Sequence, residues 1–155
     1  MDCSIYSQEM WEKLLQRLGP DPLNGDGAEK FVERVKKSRK TIGELLMDQS
    51  VAAGIGNIFR AELNPYTPGK EVEESTLRSI WKDAGVLMKA AMVDRRIVTT
   101  KPKDRPHKRG QALKEEAHYV YRRQGKPCFV CGTEILTKVM AGRNLFWCPV
   151  CQAAA

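Results

Sequence analysis

The sequence predicts a mainly α chain that closes with a small β-hairpin module, and three observations carry that reading. Apolar residues recur at helical spacing through much of residues 7–91. Near the C-terminus, Cys128, Cys131, Cys148 and Cys151 form a C-x2-C-x16-C-x2-C array. Between the two cysteine pairs, Glu134–Val139 and Asn144–Cys148 flank Met140-Ala141-Gly142-Arg143, the pattern of two strands joined by a turn. A chain of 155 residues holds one ordinary core plus a small metal-stabilised module. We accordingly place a helical domain at 1–98, a basic linker at 99–118 and a four-cysteine module at 119–155.

The helical elements follow in order. Ser7-Gln8-Glu9-Met10-Trp11 starts an amphipathic helix in which Trp11, Leu14, Leu15 and Leu18 fall at i, i+3, i+4 and i+7, and Gly19-Pro20 ends it. The segment from Gly19 to Gly27 is rich in turn residues. Ala28–Lys37 reads as a second helix with Phe31 and Val35 on one face. Thr41-Ile42-Gly43-Glu44 fits a capping box and opens a helix to about Asp48 that buries Ile42, Leu45 and Leu46. Val51-Ala52-Ala53-Gly54-Ile55-Gly56-Asn57-Ile58-Phe59-Arg60 is small and glycine-rich, then helical, and its glycines permit positive φ and close approach of another backbone. A longer helix capped near Ser75 carries Leu77, Ile80, Trp81, Ala84, Leu87, Met88 and Ala91 toward a core. Thr99–Gly110 has no periodicity and reads as a loop, and His118-Tyr119-Val120-Tyr121 has the composition of a strand.

Each C-x2-C pair places two thiolates on one ion, and four thiolates in a tetrahedron select zinc and leave no open coordination position, so the site is structural. Disulfides would imply export, yet Met1-Asp2-Cys3-Ser4-Ile5 lacks a basic region followed by an apolar core. Four unrelated buried thiols are the other alternative, and the spacing argues against them. Cys3 stands apart as a free thiol. No run of about 18 apolar residues suggests a membrane span, and the thiol-based site fits a reducing, intracellular location.

Charge is unevenly placed within the overall +7. Residues 1–94 are net −2, residues 95–126 net +8 and residues 127–155 net +1. A cationic segment abutting a metal module fits a polyanionic partner, most simply nucleic acid, with a solvated linker as the plain alternative.

Three motifs in order resemble the C-terminal portion of the formamidopyrimidine-DNA glycosylase/endonuclease VIII family. Gly54-Ile55-Gly56-Asn57 between short helices is similar to that family's helix–two-turn–helix. The run Gly142-Arg143-Asn144-Leu145-Phe146-Trp147-Cys148-Pro149-Val150-Cys151-Gln152 is similar to its zinc finger, and Arg17-Leu18-Gly19-Pro20-Asp21-Pro22-Leu23 to the segment where it leaves its N-terminal domain. The resemblance implies base-excision repair of oxidised bases and abasic sites in duplex DNA, a bacterial cytoplasmic or nucleoid location, and one zinc ion; we expect a monomer.

It also implies roles for named residues. Asn57, at a helix start where free amides favour a phosphate, contacts the phosphodiester near the lesion, with Gly56 letting the backbone come close. Arg143, presented by the metal-anchored turn, grips flanking phosphates through paired hydrogen bonds and takes part in δ-elimination. Arg17 matches a further DNA-contacting arginine. Read without the family, Asn57 is equally a helix cap, and Arg143 and Arg17 are exposed arginines. Arg34, Lys36, Lys37, Arg39 and Lys40 line a phosphate track or a solvated helix face. One of Phe146 and Trp147 packs on the finger core.

The family's attacking amine is a proline at position two followed by glutamate, set in a β-sandwich. This chain reads Met1-Asp2-Cys3, and nothing in it matches a sandwich of that size. The expectation is a DNA-binding portion without glycosylase activity of its own, because an attacking amine must be positioned and supported by an acid–base group. An independent nucleic-acid-binding module, RNA-directed included, and a protein–protein adaptor built on the zinc finger are the alternatives.

Overall fold

The fold is that of a computed structural model, which describes residues 7–25, 27–62 and 67–152. Cys3, expected to be a free thiol, lies outside them. Five helices come first: α1 (Gln8–Arg17), α2 (Ala28–Lys36), α3 (Ile42–Leu45), α4 (Asn57–Glu62) and α5 (Glu74–Asp94). An antiparallel hairpin of β1 (Leu136–Met140) and β2 (Arg143–Trp147) follows.

The helices form where local chemistry and burial agree. Phe31 and Val35 of α2 are fully buried, as their spacing predicts, and the Phe31 ring lies 5.1 Å from that of Trp81 on α5. Burying side chains of this size contributes about 1.5–3 kcal/mol each. The capping box of α3 is present: Glu44 N–H donates to Thr41 Oγ1 (3.3 Å) and Thr41 N–H to Glu44 Oε2 (2.9 Å). These bonds from Thr41 hold the Glu44 carboxyl below its ordinary range. Ile42, Leu45 and Leu46 turn inward beside it. Helix α5 begins at Glu74, one residue before the expected cap, and lays Leu77, Ile80, Trp81, Ala84 and Met88 into the same core.

Helix α1 forms as its periodicity predicts, with Ser7 as its cap. Its apolar stripe, however, stays open: Trp11 is 52% exposed, and Leu14, Leu15 and Leu18 are exposed too, with no cover among the described residues.

A second, smaller core joins Val120, Ile135, Leu145, Phe146 and two of the cysteines to Ala61 of α4. The hairpin is tighter than expected. Met140 pairs with Arg143, so only Ala141 and Gly142 turn, both at positive φ (50° and 72°), which matches the twist of the strands. Phe146 is the buried member of its pair, edge-on to Tyr121, while Trp147 is half-buried with Lys138 over its ring.

His118-Tyr119-Val120-Tyr121 is not a strand. The amides of Tyr119, Val120 and Tyr121 all donate to the carboxylate of Glu62, so a single side chain takes the place of a neighbouring strand. Residues 99–118 contain nothing longer than a single 3-10 turn, yet they are tied down. Thr100 Oγ1 donates to Glu116 O (2.6 Å), and Tyr119 Oη accepts from Lys101 N–H (2.9 Å) while donating to Asp104 (2.7 Å). Burial pushes the Tyr119 hydroxyl up to about 12, so it stays a donor.

Candidate nucleic-acid interface

The four cysteines converge. Their sulfurs all lie within 4.8 Å of one another, with Cys131–Cys148 at 3.4 Å and Cys128–Cys151 at 3.9 Å. Sulfurs about 2.3 Å from a tetrahedral zinc stand about 3.8 Å apart, so the spacing fits that ion. Backbone amides of Val130 and Cys151 point at Cys128 and Cys148 Sγ, as expected for ligands carrying negative charge. Hydrogen bonds with Thr133 draw the Cys131 thiol down to about 6, whereas burial pushes Cys148 and Cys151 up. A divalent cation supplies the charge that lets all four ionise together.

On the helical side, the residues before α4 make a tight apolar turn. Gln49 braces it, with Nε2 donating to Ile55 O (2.9 Å) and Oε1 accepting from Gly54 N–H (2.9 Å). Gly54 sits at φ +81°, a conformation that an L side chain resists. Gly56 has no positive φ, and a methyl placed on it would meet nothing within 4 Å. Asn57 follows as the first residue of α4. Because α4 spans only six residues, its dipole is small, and the Asn57 side-chain amide is the group able to donate to a ligand.

Three consecutive residues of α4 then hold the C-terminal module. Arg60, fully buried, donates through Nη1 to Met140 O (2.9 Å) and through Nη2 to Asn57 Oδ1, Asn144 O (3.3 Å) and Arg143 O (3.5 Å). Ala61 O accepts from Gln152 Nε2 (2.8 Å), and Gln152 Oε1 accepts from the amide of the metal ligand Cys148 (2.9 Å). Glu62 takes the three amides already named and the hydroxyl of Thr99 (3.0 Å). Burial pushes its carboxyl above the usual range while these four donors pull it back.

Asn57 and Arg143 are thereby brought together. Asn57 Nδ2 donates to Asn144 O (3.0 Å), directly beside Arg143 at the hairpin tip. The Arg143 side chain is exposed and makes no hydrogen bond or ion pair among the described residues. Arg17 is exposed in the last turn of α1, likewise without such a bond among the described residues. Of the basic cluster, Arg34 donates to Ser50 O, Lys36 ties α2 to Lys70 O and Val72 O (both 2.9 Å), and Lys37 pairs with Glu33. Arg39 and Lys40 remain exposed. Arg60, Glu62 and Gln152 carry no assignment from sequence. The available signal was Arg60 three residues after Asn57, on the same helix face and flanked by the apolar Phe59 and Ala61.

Residues 18–102 match the formamidopyrimidine-DNA glycosylase H2TH domain, and residues 125–154 match the zinc finger found in FPG and IleRS. The chain belongs to the formamidopyrimidine-DNA glycosylase/endonuclease VIII family. Within that family it is 43% identical over 147 residues to Endonuclease 8 1 of Mycobacterium tuberculosis, covering 90% of this chain and 54% of the relative. It is 34% identical over 149 residues to formamidopyrimidine-DNA glycosylase of Thermus thermophilus, covering 90% and 55%. Among solved structures of the family, Thermus thermophilus MutM superposes with a TM-score of 0.74 at 30% identity, covering 96% of this chain and 59% of that one. A complex of Lactococcus lactis Fpg with abasic-site DNA superposes with a TM-score of 0.75 at 26% identity, covering 95% and 56%. The chain spans about half the length of the family members it matches, corresponding to their C-terminal part. The four-cysteine module is the family's zinc finger, its four sulfurs placed to bind one structural ion.

Proposed function

We propose that this chain is the DNA-gripping part of a base-excision-repair glycosylase/AP lyase, and that it binds duplex DNA at damaged or abasic sites chiefly through phosphates. The observation that carries this reading is the pairing at one edge of a donor amide, Asn57, with a free guanidinium, Arg143, on a metal-braced hairpin. A planar guanidinium clamps a phosphate through two parallel hydrogen bonds, and open space at Gly56 leaves room for a backbone to approach. The exposed Arg17, Arg39 and Lys40 and the basic segment 99–118 supply sequence-independent attraction. Taking part in δ-elimination is the role this reading gives Arg143. The reading further gives the isolated chain no base excision of its own, since that step needs a flipped base in a pocket and an activated amine. Locations for the parts are 1–98 for the helix–two-turn–helix, 99–118 for the basic linker and 119–155 for the finger.

The experiment is fluorescence anisotropy of the zinc-loaded chain on a duplex with one abasic site, on the intact duplex and on structured RNA, across a salt series. We expect tighter binding to the abasic duplex, weakening as salt rises with a slope of about −0.9 per phosphate neutralised. Borohydride trapping on the same duplex is expected to yield no covalent adduct. Preference for RNA, or equal affinity for both duplexes, would favour an independent nucleic-acid module. Binding insensitive to salt and to N57A and R143A would favour an adaptor.

A further inference from the structure

We infer that Arg60 is a positioning residue that fixes both halves of the DNA clamp at once: it sets which end of the Asn57 amide faces outward, and it seats the turn that carries Arg143. This rests on the DNA-binding reading above.

An asparagine amide can present either its oxygen or its nitrogen to a ligand, and only the nitrogen suits a phosphate. Here the choice is made by neighbours. Arg60 Nη2 donates to Asn57 Oδ1, and a guanidinium only donates, so the oxygen must point at it. That leaves Nδ2 as the donor end, where one hydrogen goes to Asn144 O (3.0 Å), the carbonyl that Arg60 Nη2 also reaches (3.3 Å), and the second remains for a ligand. The same guanidinium reaches carbonyls on both sides of the Ala141-Gly142 turn, Met140 O through Nη1 and Arg143 O and Asn144 O through Nη2. Arg143 is thus held by its backbone while its side chain stays in solvent.

The fork is what makes this possible. A lysine carries its donors on one nitrogen at the end of a flexible stem, so it cannot serve Met140 O and Asn57 Oδ1 from two fixed directions. Burial of Arg60 keeps water from substituting for either bond. Arg60 touches no ligand in this arrangement; it acts through Asn57 and Arg143.

The test is a double-mutant comparison on the abasic duplex using wild type, R60K, R143A and R60K/R143A, each checked for zinc content and helical circular dichroism. Wild type must bind first; its failure to bind sinks the DNA reading rather than the role of Arg60. The expected result is that R60K keeps its zinc and helicity, loses about tenfold in affinity and flattens the salt slope by about 0.9, as R143A does. Adding R143A to R60K is expected to flatten the slope little further. R60K binding with wild-type slope, or losses that add in full, would overturn the inference. A second measurement stands even where R60K does not fold. In wild-type protein, NMR of the Asn57 side-chain amide is expected to show one hydrogen protected from solvent exchange and the other shifting on DNA addition. Two hydrogens exchanging at free-amide rates would mean that the amide is not held, and the inference fails.

Discussion

Gly54 and Gly56 stand two residues apart in the same turn, and the structure separates their roles sharply enough to predict opposite outcomes for one methyl group. Gly54→Ala places an L side chain at φ +81°, in the left-handed region, at a cost of about 1–2 kcal/mol. The new Cβ would also lie 2.8 Å from Met88 Cε, but a thioether end swings aside at little further cost. A loss of this size shifts the folded-to-unfolded ratio about 5- to 30-fold. For a chain of this length it lowers the melting temperature by about 2–8 °C. Gly56→Ala meets neither penalty, so its stability should stay within about 0.5 kcal/mol of wild type. Its methyl instead occupies the space through which a DNA backbone would approach, so duplex affinity should fall while the melting curve does not. Differential scanning fluorimetry and anisotropy on the three proteins read both quantities. The reasoning fails if G54A melts with wild type, or if G56A is destabilised as much as G54A.

Three further outcomes follow from the same contacts. Chelation of the metal should abolish ordered signals from residues 119–152 while most of the helical circular dichroism survives, because the core of α2, α3 and α5 contains no residue of the finger. Glu62→Ala should cost about 3 kcal/mol, roughly 1 kcal/mol for each of three amides left without an acceptor, and hydrogen exchange at Tyr119, Val120 and Tyr121 should accelerate together. The Glu44 carboxyl titrates lower in the folded than in the unfolded chain. Its contribution is therefore complete above the ordinary value of 4.5 and is lost as pH falls through the depressed folded value. E44Q should trail the parent in urea midpoint near neutral pH, with the gap closing as pH falls below 4.5; a gap independent of pH would refute that assignment.

The elements that could be read from sequence are those decided by chemistry within a few residues. The capping box of Thr41 and Glu44, the inward face of Phe31 and Val35, and the paired cysteines each rest on local spacing, and each stands in the structure as read. What local spacing could not decide was set by distant partners. Tyr119-Val120-Tyr121 has the residues of a strand, but its amides go to Glu62, 57 or more positions earlier. The helix of Trp11, Leu14 and Leu15 forms with the right period, yet period alone says nothing of whether a partner covers the stripe. The same holds at the candidate interface. Asn57 and Arg143 are legible as single polar residues in recognisable settings, whereas Arg60, which joins them, looks in sequence like any arginine on a short helix. A buried guanidinium serving carbonyls 80 and more residues away leaves no local trace.

One glutamine ties the metal site to a distant part of the sequence. Gln152 accepts from the amide of Cys148 and donates to Ala61 O, so the ligand loop and the short helix bearing Asn57 share a side chain. Should a ligand bind at Asn57 and Arg143 as proposed, it and the metal loop would share this link. Linkage is reciprocal: were zinc to tighten the grip on a ligand by some factor, the ligand would raise the affinity for zinc by the same factor. A chain engaged on its ligand would then be the last to surrender its metal to a competing chelator, and an idle one the first.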